Sequence, residues 1–515
     1  MSSSHTHEEE DPHNGSDDEA AMLDANEAEE EIVDDGDAAM DSGSEDEYQG
    51  QGDDEIMQEI QLQNDSSAHF DQHKDSIFAI AQHPVHANIV ATGGSEGDDA
   101  GGMGYIFDST PSMEDTPVLP PSYQTAPNER TERKSLEPIF KLEGHKDSIN
   151  ALTFTLPAGQ FLLSGGLDGK LRAYVGTKDA SKWKFIAEAQ EVEEINWLIP
   201  CPSSDHPNMI ALGANDGSVW VYTIDGTNKE APLQIVQSYF LHTESCTAGS
   251  WSADGKFLAT VSEDASLYVW DVFGDAALAG LTQGEGAQYV VGLTSLDQRF
   301  AVEGGLFSVA IAPSGTFVVA GGVGGAIKVV GLPRLGTEAS SKGGAGAAAK
   351  AKGGKQAGGK NVQASGASAG QAGQILADLQ AQSDGIETLA FAPPPLTLMA
   401  AGSVDGSIAL FDSAHRWAVR RHIKEAHEEF SVVKVEFVKS GGGWLLTSCG
   451  MDGVVRRWDT RGGTGMANSG FVKEWKGHRG EGEGGGVLGF VQGAGDRIVT
   501  AGDDGVSLVF ESPVA

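Results

Sequence analysis

Cysteine is nearly missing from this chain: three residues in 515, at Cys201, Cys246 and Cys449, far apart and without CxxC or Cys/His ligand spacing. Disulfide-stapled scaffolds and zinc modules are therefore excluded, and a reducing compartment fits. Bases are scarce too. Lys plus Arg number 34 against 75 Asp plus Glu, for a formal charge of −41, so no direct contact with nucleic acid phosphate is expected and a basic protein partner is. No run of eighteen apolar residues occurs, and the opening MSSSHTHEEE has neither a basic stretch nor an apolar one. No membrane partner is expected, and the expected location is cytoplasmic, with the nucleus as a second compartment. Catalytic signatures are missing as well: GGVGGAIK at 321–328 lacks the Gly-Lys-Ser/Thr ending of a phosphate loop, and there is no HExxH, dinucleotide fingerprint or nucleophile elbow. No enzyme activity, metal or cofactor is expected.

What is present falls into unequal parts. Residues 1–65 hold 24 acidic residues and no Lys or Arg, a composition that cannot bury enough apolar surface to offset chain entropy, so this tail is expected to be disordered. Within it Ser16 (SDDE) and Ser44 (SEDE) precede acidic runs of the kind acidophilic kinases favour. Residues 109–138 carry six prolines and read as an extended loop. Residues 339–375 are Gly, Ala, Ser and Lys with no acidic or aromatic residue, a low-complexity insertion that reads as solvated, with contact to RNA or to the acidic tail as the alternative.

From about residue 66 to 515 one unit recurs. FLLSGGLDGKLRAY (161–174), MIALGANDGSVWVY (209–222), FLATVSEDASLYVW (257–270), TLMAAGSVDGSIALF (397–411), WLLTSCGMDGVVRRW (444–458) and RIVTAGDDGVSLVF (497–510) each read as strand, tight turn, strand. The turn Asp precedes the closing aromatic by six residues every time: Asp168 to Tyr174, Asp216 to Tyr222, Asp264 to Trp270, Asp405 to Phe411, Asp452 to Trp458, Asp504 to Phe510. Two weaker units, 91–108 and 318–330, bring the count to eight.

These units resemble WD-repeat blades, with Gly144-His145 and Gly477-His478 before first strands and Trp270-Asp271 and Trp458-Asp459 after third strands. The expected fold is all-β, a WD40 β-propeller of eight blades, with seven as the alternative. In that family His, Ser/Thr, Asp and Trp form a hydrogen-bonded brace. The matching sets are His242, Thr260, Asp264, Trp270 and His427, Ser448, Asp452, Trp458, with His145, Ser164, Asp168, Tyr174 and His478, Thr500, Asp504, Phe510 as near matches. A His beside an Asp and a Ser invites a catalytic triad, but recurrence in blade after blade argues for bracing. Only a few residues follow the eighth unit's third strand, so that blade needs a fourth strand from elsewhere, and Ser66–Asp71 is the natural donor.

Aligning first strands places an acid two residues past the His position in six units: Asp75, Asp147, Glu193, Glu244, Asp384 and Glu429, with Glu194 a second acid in its unit. The loop leading into each innermost strand opens at the rim of the central channel, so these acids are expected to line one mouth. Converging like charges repel, a standing cost that a cationic ligand relieves. Asp is also common here in WD repeats generally, so a solvated rim is the plain alternative. Glu in three imperfect units, and an acidic tail leading into the same ring, favour a receptor for an Arg/Lys-rich segment.

NDSSAHFDQHKDSIFAIAQHP (64–84), ATGG (91–94), LEGHKDSINALTF (142–154) and FLLSGGLDGKLRAY (161–174) resemble a narrower family, the ribosome-assembly chaperones of large-subunit ribosomal protein L-ten, fungal counterparts of the animal angio-associated migratory cell protein. The resemblance spans roughly residues 45–515. It implies an eight-bladed, monomeric propeller that captures the basic N-terminal segment of the newly made protein on its acidic face and escorts it to pre-large subunits. The implied contact positions are Asp75, Asp147, Glu193 and Glu244, with Asp384 and Glu429 behind them. Trp458-Asp459-Thr460-Arg461 also matches the WDxR pattern of ubiquitin-ligase substrate receptors. That reading, and a generic scaffold or histone-tail binder, are the competing expectations.

Overall fold

The computed structural model describes residues 63–97, 101–110, 135–284, 286, 288–335, 368–462, 470–480 and 484–512. Ser16 and Ser44, and most of the tail and of both insertions, lie outside the described residues.

The strands form eight antiparallel four-stranded sheets. Seven are built in simple succession. Blade one is Ile77–Gln82, Ile89–Ser95, Gly102–Asp108 and Pro138–Leu142, and blades two to seven repeat the order. Blade eight takes Val487–Val491, Arg497–Gly502 and Ser507–Glu511 from the end of the chain and Ala68–Phe70 from its beginning. The expected donor segment therefore does supply the fourth strand, pairing Ala68 with Val509 and Phe70 with Ser507. Each innermost strand packs on the next, and Val487–Val491 packs on Ile77–Gln82, which closes the ring. Eight blades, not seven, are present.

The hydrophobic core is divided into eight clusters, one at each boundary between consecutive blades. Second strands such as Phe161–Gly166 and Met209–Ala214 are buried along their whole length, because a neighbouring blade covers each face. At the closing boundary Phe70 is fully buried, stacked on Phe107 with centroids 4.4 Å apart and edge-on to Tyr105 at 5.3 Å.

Boundaries shift slightly from those read in the sequence. Order begins before residue 66, since Asp65 N–H donates to the Lys476 carbonyl (2.8 Å) and Lys476 N–H donates to the Asp65 carboxylate (3.0 Å). Pro138 and Ile375, placed at the ends of the insertions, begin outermost strands. Both insertions join third to fourth strands. Alternating strand direction puts the strand ends they join, at Asp108, Pro138, Gly331 and Ile375, on the face opposite the loops that lead into innermost strands.

The braces form with one modification. His427 Nδ1 lies 2.8 Å from Asp452 and Nε2 2.7 Å from Ser448, whose hydroxyl also accepts from Trp458 Nε1 at 2.8 Å. His145 with Asp168 and Ser164, and His478 with Asp504 and Thr500, repeat the geometry. In blade four Asp264 does not bond His242 directly, standing 3.9 Å away. Ser266 relays between them, accepting from His242 Nδ1 at 2.6 Å and donating to Asp264. In blade one Asp98 and Asp99 of the corresponding turn lie outside the described residues; His73 bonds Thr92 (2.9 Å), and its buried Nδ1 has no hydrogen-bond partner among the described residues. Burial lowers the pKa of His73, and likewise of His242, to about 4.

Candidate peptide-binding face

Each blade presents two connections on the open face: the loop leading into its innermost strand and the tight turn between its second and third strands. The turn Asp of a blade fixes that blade's own lead-in loop. Its second oxygen accepts the backbone N–H of the residue just before the ring acid: Lys146 for Asp168 (2.8 Å), Thr243 for Asp264 (2.7 Å) and Ser383 for Asp405 (2.8 Å). Burial alone would raise these carboxyls, but hydrogen bonds outweigh it and hold all three below the ordinary range, Asp405 at about 2.

The turn glycine fixes the next blade's loop. Gly217 has φ +82°, and a Cβ there would stand 2.6 Å from the Glu244 carbonyl oxygen and 2.9 Å from that of His242. Gly505 backs onto the Asp75 carbonyl in the same way, at 3.0 Å. Turn Asp and turn Gly thus also help position the acids, and the Glu244 loop is gripped from both sides, by Asp264 and by Gly217.

Asp75, Asp147, Glu193, Glu244 and Asp384 each stand two residues ahead of an innermost strand, and Glu194 one residue ahead. Glu429 is displaced. Blade seven has one more residue between His427 and Val432 than blades one, two and four have, so Glu429 stands three residues ahead and Phe430 takes the aligned place. The Asp side chains are partly committed to the loop: Asp75, Asp147 and Asp384 each accept the next residue's N–H, at 2.8, 2.6 and 2.7 Å. This is the plain consensus role of Asp at this position. Glu193, Glu244 and Glu429 are exposed and accept no such bond, which leaves both oxygens for a ligand.

Among the described residues none of these seven acids is in an ion pair. Lys74, the nearest base in sequence to Asp75, is committed to Glu96 at 3.2 Å. Among the described residues, then, no lysine or arginine cancels these charges by ion pairing.

Two further acids belong to the same mouth and escape sequence alignment. Glu303, exposed and three residues ahead of Leu306, fills the place in blade five, where paired glycines shift the frame by one. Glu387 is the second residue of the innermost strand Ile386–Phe391. It is open to solvent, yet burial and then the negative potential of Asp384 push its carboxyl above the ordinary value. Strand alternation in GIETLAF carried the signal for Glu387, since neighbouring Ile386 is buried. Asp503 is different: it accepts from Ser76 Oγ at 2.7 Å and from Gly484 N–H at 2.6 Å, tying blade eight to blade one. In the WDxR segment, Arg461 folds back on Asp459 with both carboxylate oxygens engaged.

Sheet count, repeat spacing and braces together define a WD-repeat β-propeller, and acids stand in the loops that lead into its innermost strands. The WD domain, G-beta repeat family matches residues 136–174 and 233–271, each running from one blade's outermost strand through the next blade's third. The crystal structure of Chaetomium thermophilum Sqt1 bound to the N-terminus of the ribosomal protein L10 is 56% identical and superposes with a TM-score of 0.73, covering 87% of this chain and 100% of that one. The ribosome assembly protein SQT1 of Saccharomyces cerevisiae is 29% identical over 90% of each chain. The human angio-associated migratory cell protein is 23% identical over 81% of this chain and 74% of its own. The chain belongs to the Sqt1 family of ribosome-assembly proteins. Ribosome assembly, the role in the name of the Saccharomyces cerevisiae relative, is part of ribosome biogenesis and non-enzymatic in kind.

Proposed function

We propose that this chain is a dedicated chaperone of ribosomal protein L10, binding the basic N-terminal segment of the newly made protein at the acid-lined mouth and escorting it to pre-large ribosomal subunits. It acts by binding, without catalysis, on clients made in the cytoplasm. The observation that carries the reading is the 56%-identical relative bound to the L10 N-terminus, and the supporting one is that, among the described residues, none of the seven acids is in an ion pair, Lys74 being held by Glu96. An Arg/Lys-rich tail made without its RNA would bind any polyanion. A carboxylate-lined cavity satisfies those charges until RNA, with its denser charge, outcompetes it. Exposed charge pairs contribute about 0 to 1 kcal/mol each, so affinity depends on several acting together. The contacts proposed are Asp75, Asp147, Glu193, Glu194, Glu244, Asp384 and Glu429.

The test is purification of ribosomes that carry nascent chains bound to this protein, with sequencing of the attached messages. Enrichment of the L10 message supports the proposal. Recovery of ligase adaptor subunits or histones in its place would replace it.

A further inference from the structure

At one register of the third strand, blades two, five and seven place a cation opposite a carboxylate on the outermost strand (Arg172 opposite Glu188, Lys328 opposite Asp378, Arg456 opposite Glu474), whereas blades one and four carry Tyr105 opposite Lys141 and Tyr268 opposite Gly292. In blade two Arg172 also lies over the Phe185 ring, 4.3 Å from its centroid, so the molecule builds its own aromatic–guanidinium–carboxylate site there. Blade three carries a tryptophan there, Trp220 opposite Ser238, and with it an acid where the brace His would stand, the exposed Glu191. Trp220 is pinned through its Nε1–H to Ser218 Oγ (2.8 Å), itself bonded to Asp216 (2.6 Å). Edge-to-face with it, centroids 5.5 Å apart, lies Phe240, 65% exposed, followed by Leu241, 40% exposed. Trp220 also lines a narrow crevice together with Glu191 and Val192. Blades one, two, seven and eight carry Gln72, Gly144, Ala426 and Gly477 in the Leu241 place.

We propose that blade three takes an arginine of the client, its guanidinium stacked on the Trp220–Phe240 shelf and paired with Glu191. This rests on the peptide-binding reading above and extends it outward from the channel. Phe240 is four residues from Glu244, so the shelf lies within about 13 Å of the ring. An extended client with one base at Glu244 reaches it with a residue three or four positions along. A planar guanidinium suits an aromatic face flanked by a carboxylate, whereas an ammonium is a compact, strongly hydrated point charge.

The test titrates a fluorescent N-terminal peptide of L10, and versions with each arginine in turn changed to lysine, against the full chain and the variants Phe240→Ala, Glu191→Gln and Glu193→Lys/Glu244→Lys. Phe240 is exposed, so its removal leaves the fold intact, checked by thermal melting. Phe240→Ala and Glu191→Gln are each expected to weaken binding about 2- to 5-fold. One arginine-to-lysine change should weaken binding to the unaltered protein and lose that effect in Phe240→Ala. If Phe240→Ala binds normally while the Glu193/Glu244 variant does not, the shelf is refuted and the peptide-binding reading stands. If Phe240→Ala weakens binding but every lysine peptide behaves like the original, the shelf holds an apolar residue and the arginine assignment is overturned. Undiminished binding by the Glu193/Glu244 variant overturns the underlying reading.

Discussion

Gly217→Ala separates the grip on the ring from ordinary backbone strain. The methyl group would stand 2.6 Å from the Glu244 carbonyl oxygen, where ordinary contact begins at 3.4 Å, so the loop must retreat by several tenths of an ångström or more. Gly274, on the opposite face at φ +80°, supplies the control, because a Cβ there meets nothing within 4 Å. Both substitutions force an L-residue into the left-handed region and should cost about 1–2 kcal/mol of stability. Only Gly217→Ala displaces Glu244. Losing one exposed carboxylate contact is worth up to about 1 kcal/mol, so affinity for an L10 N-terminal peptide should fall up to about fivefold in Gly217→Ala and remain unchanged in Gly274→Ala. The assay is peptide titration by fluorescence anisotropy, with urea denaturation of both variants alongside. Equal affinities at equal stability loss would refute the claim that turn glycines place the acids.

Two other outcomes follow from the packing. Phe70→Ala removes a fully buried ring from the closing strand and should cost about 3–5 kcal/mol in urea denaturation, whereas His69→Ala, beside it but half-buried, should cost far less. An equal loss for both would mean that the closing strand holds by its backbone alone. His73 and His242 are kept neutral by burial, with pKa values of about 4 against 6.5 in the unfolded chain. Their contribution is complete above pH 6.5 and declines as pH falls toward 4, because the unfolded chain takes up protons that the fold refuses. The loss at pH 5 should be roughly 2 kcal/mol per histidine. Denaturation midpoints that do not fall between pH 7 and pH 5 would contradict it.

The fold was legible because the repeat carries its own punctuation. A turn Asp at constant spacing marked six hairpins, two weaker units brought the count to eight, and the missing fourth strand of blade eight pointed to Ala68–Phe70. The ring was legible only where the His and the first strand keep a fixed separation. The paired glycines before Leu306 and the extra residue before Val432 break that frame, which hid Glu303 and misplaced Glu429 by one position. Glu387 was missed for another reason: it lies inside the strand, and attention to loops passes over it. The Ser266 relay in blade four was also hidden, since His242, Thr260, Asp264 and Trp270 match the pattern while the intervening hydroxyl does not belong to it. The shelf on blade three shows only when third strands are compared at equal register, where blade three carries a tryptophan.

The central claim, that uncancelled carboxylates at one channel mouth hold a cationic segment, is tested most directly by titrating the L10 N-terminal peptide at about 0.1 M and 1 M salt. The screening length falls from about 10 to about 3 Å over that range. The unaltered protein should lose affinity steeply. Asp147→Lys/Glu193→Lys/Glu244→Lys exchanges three attractions for three repulsions, up to about 6 kcal/mol in all, and at about half that sum should bind roughly 100-fold more weakly at the lower salt with its thermal melt preserved. Salt-independent binding, or a triple variant that binds as tightly as the unaltered protein, would contradict the account.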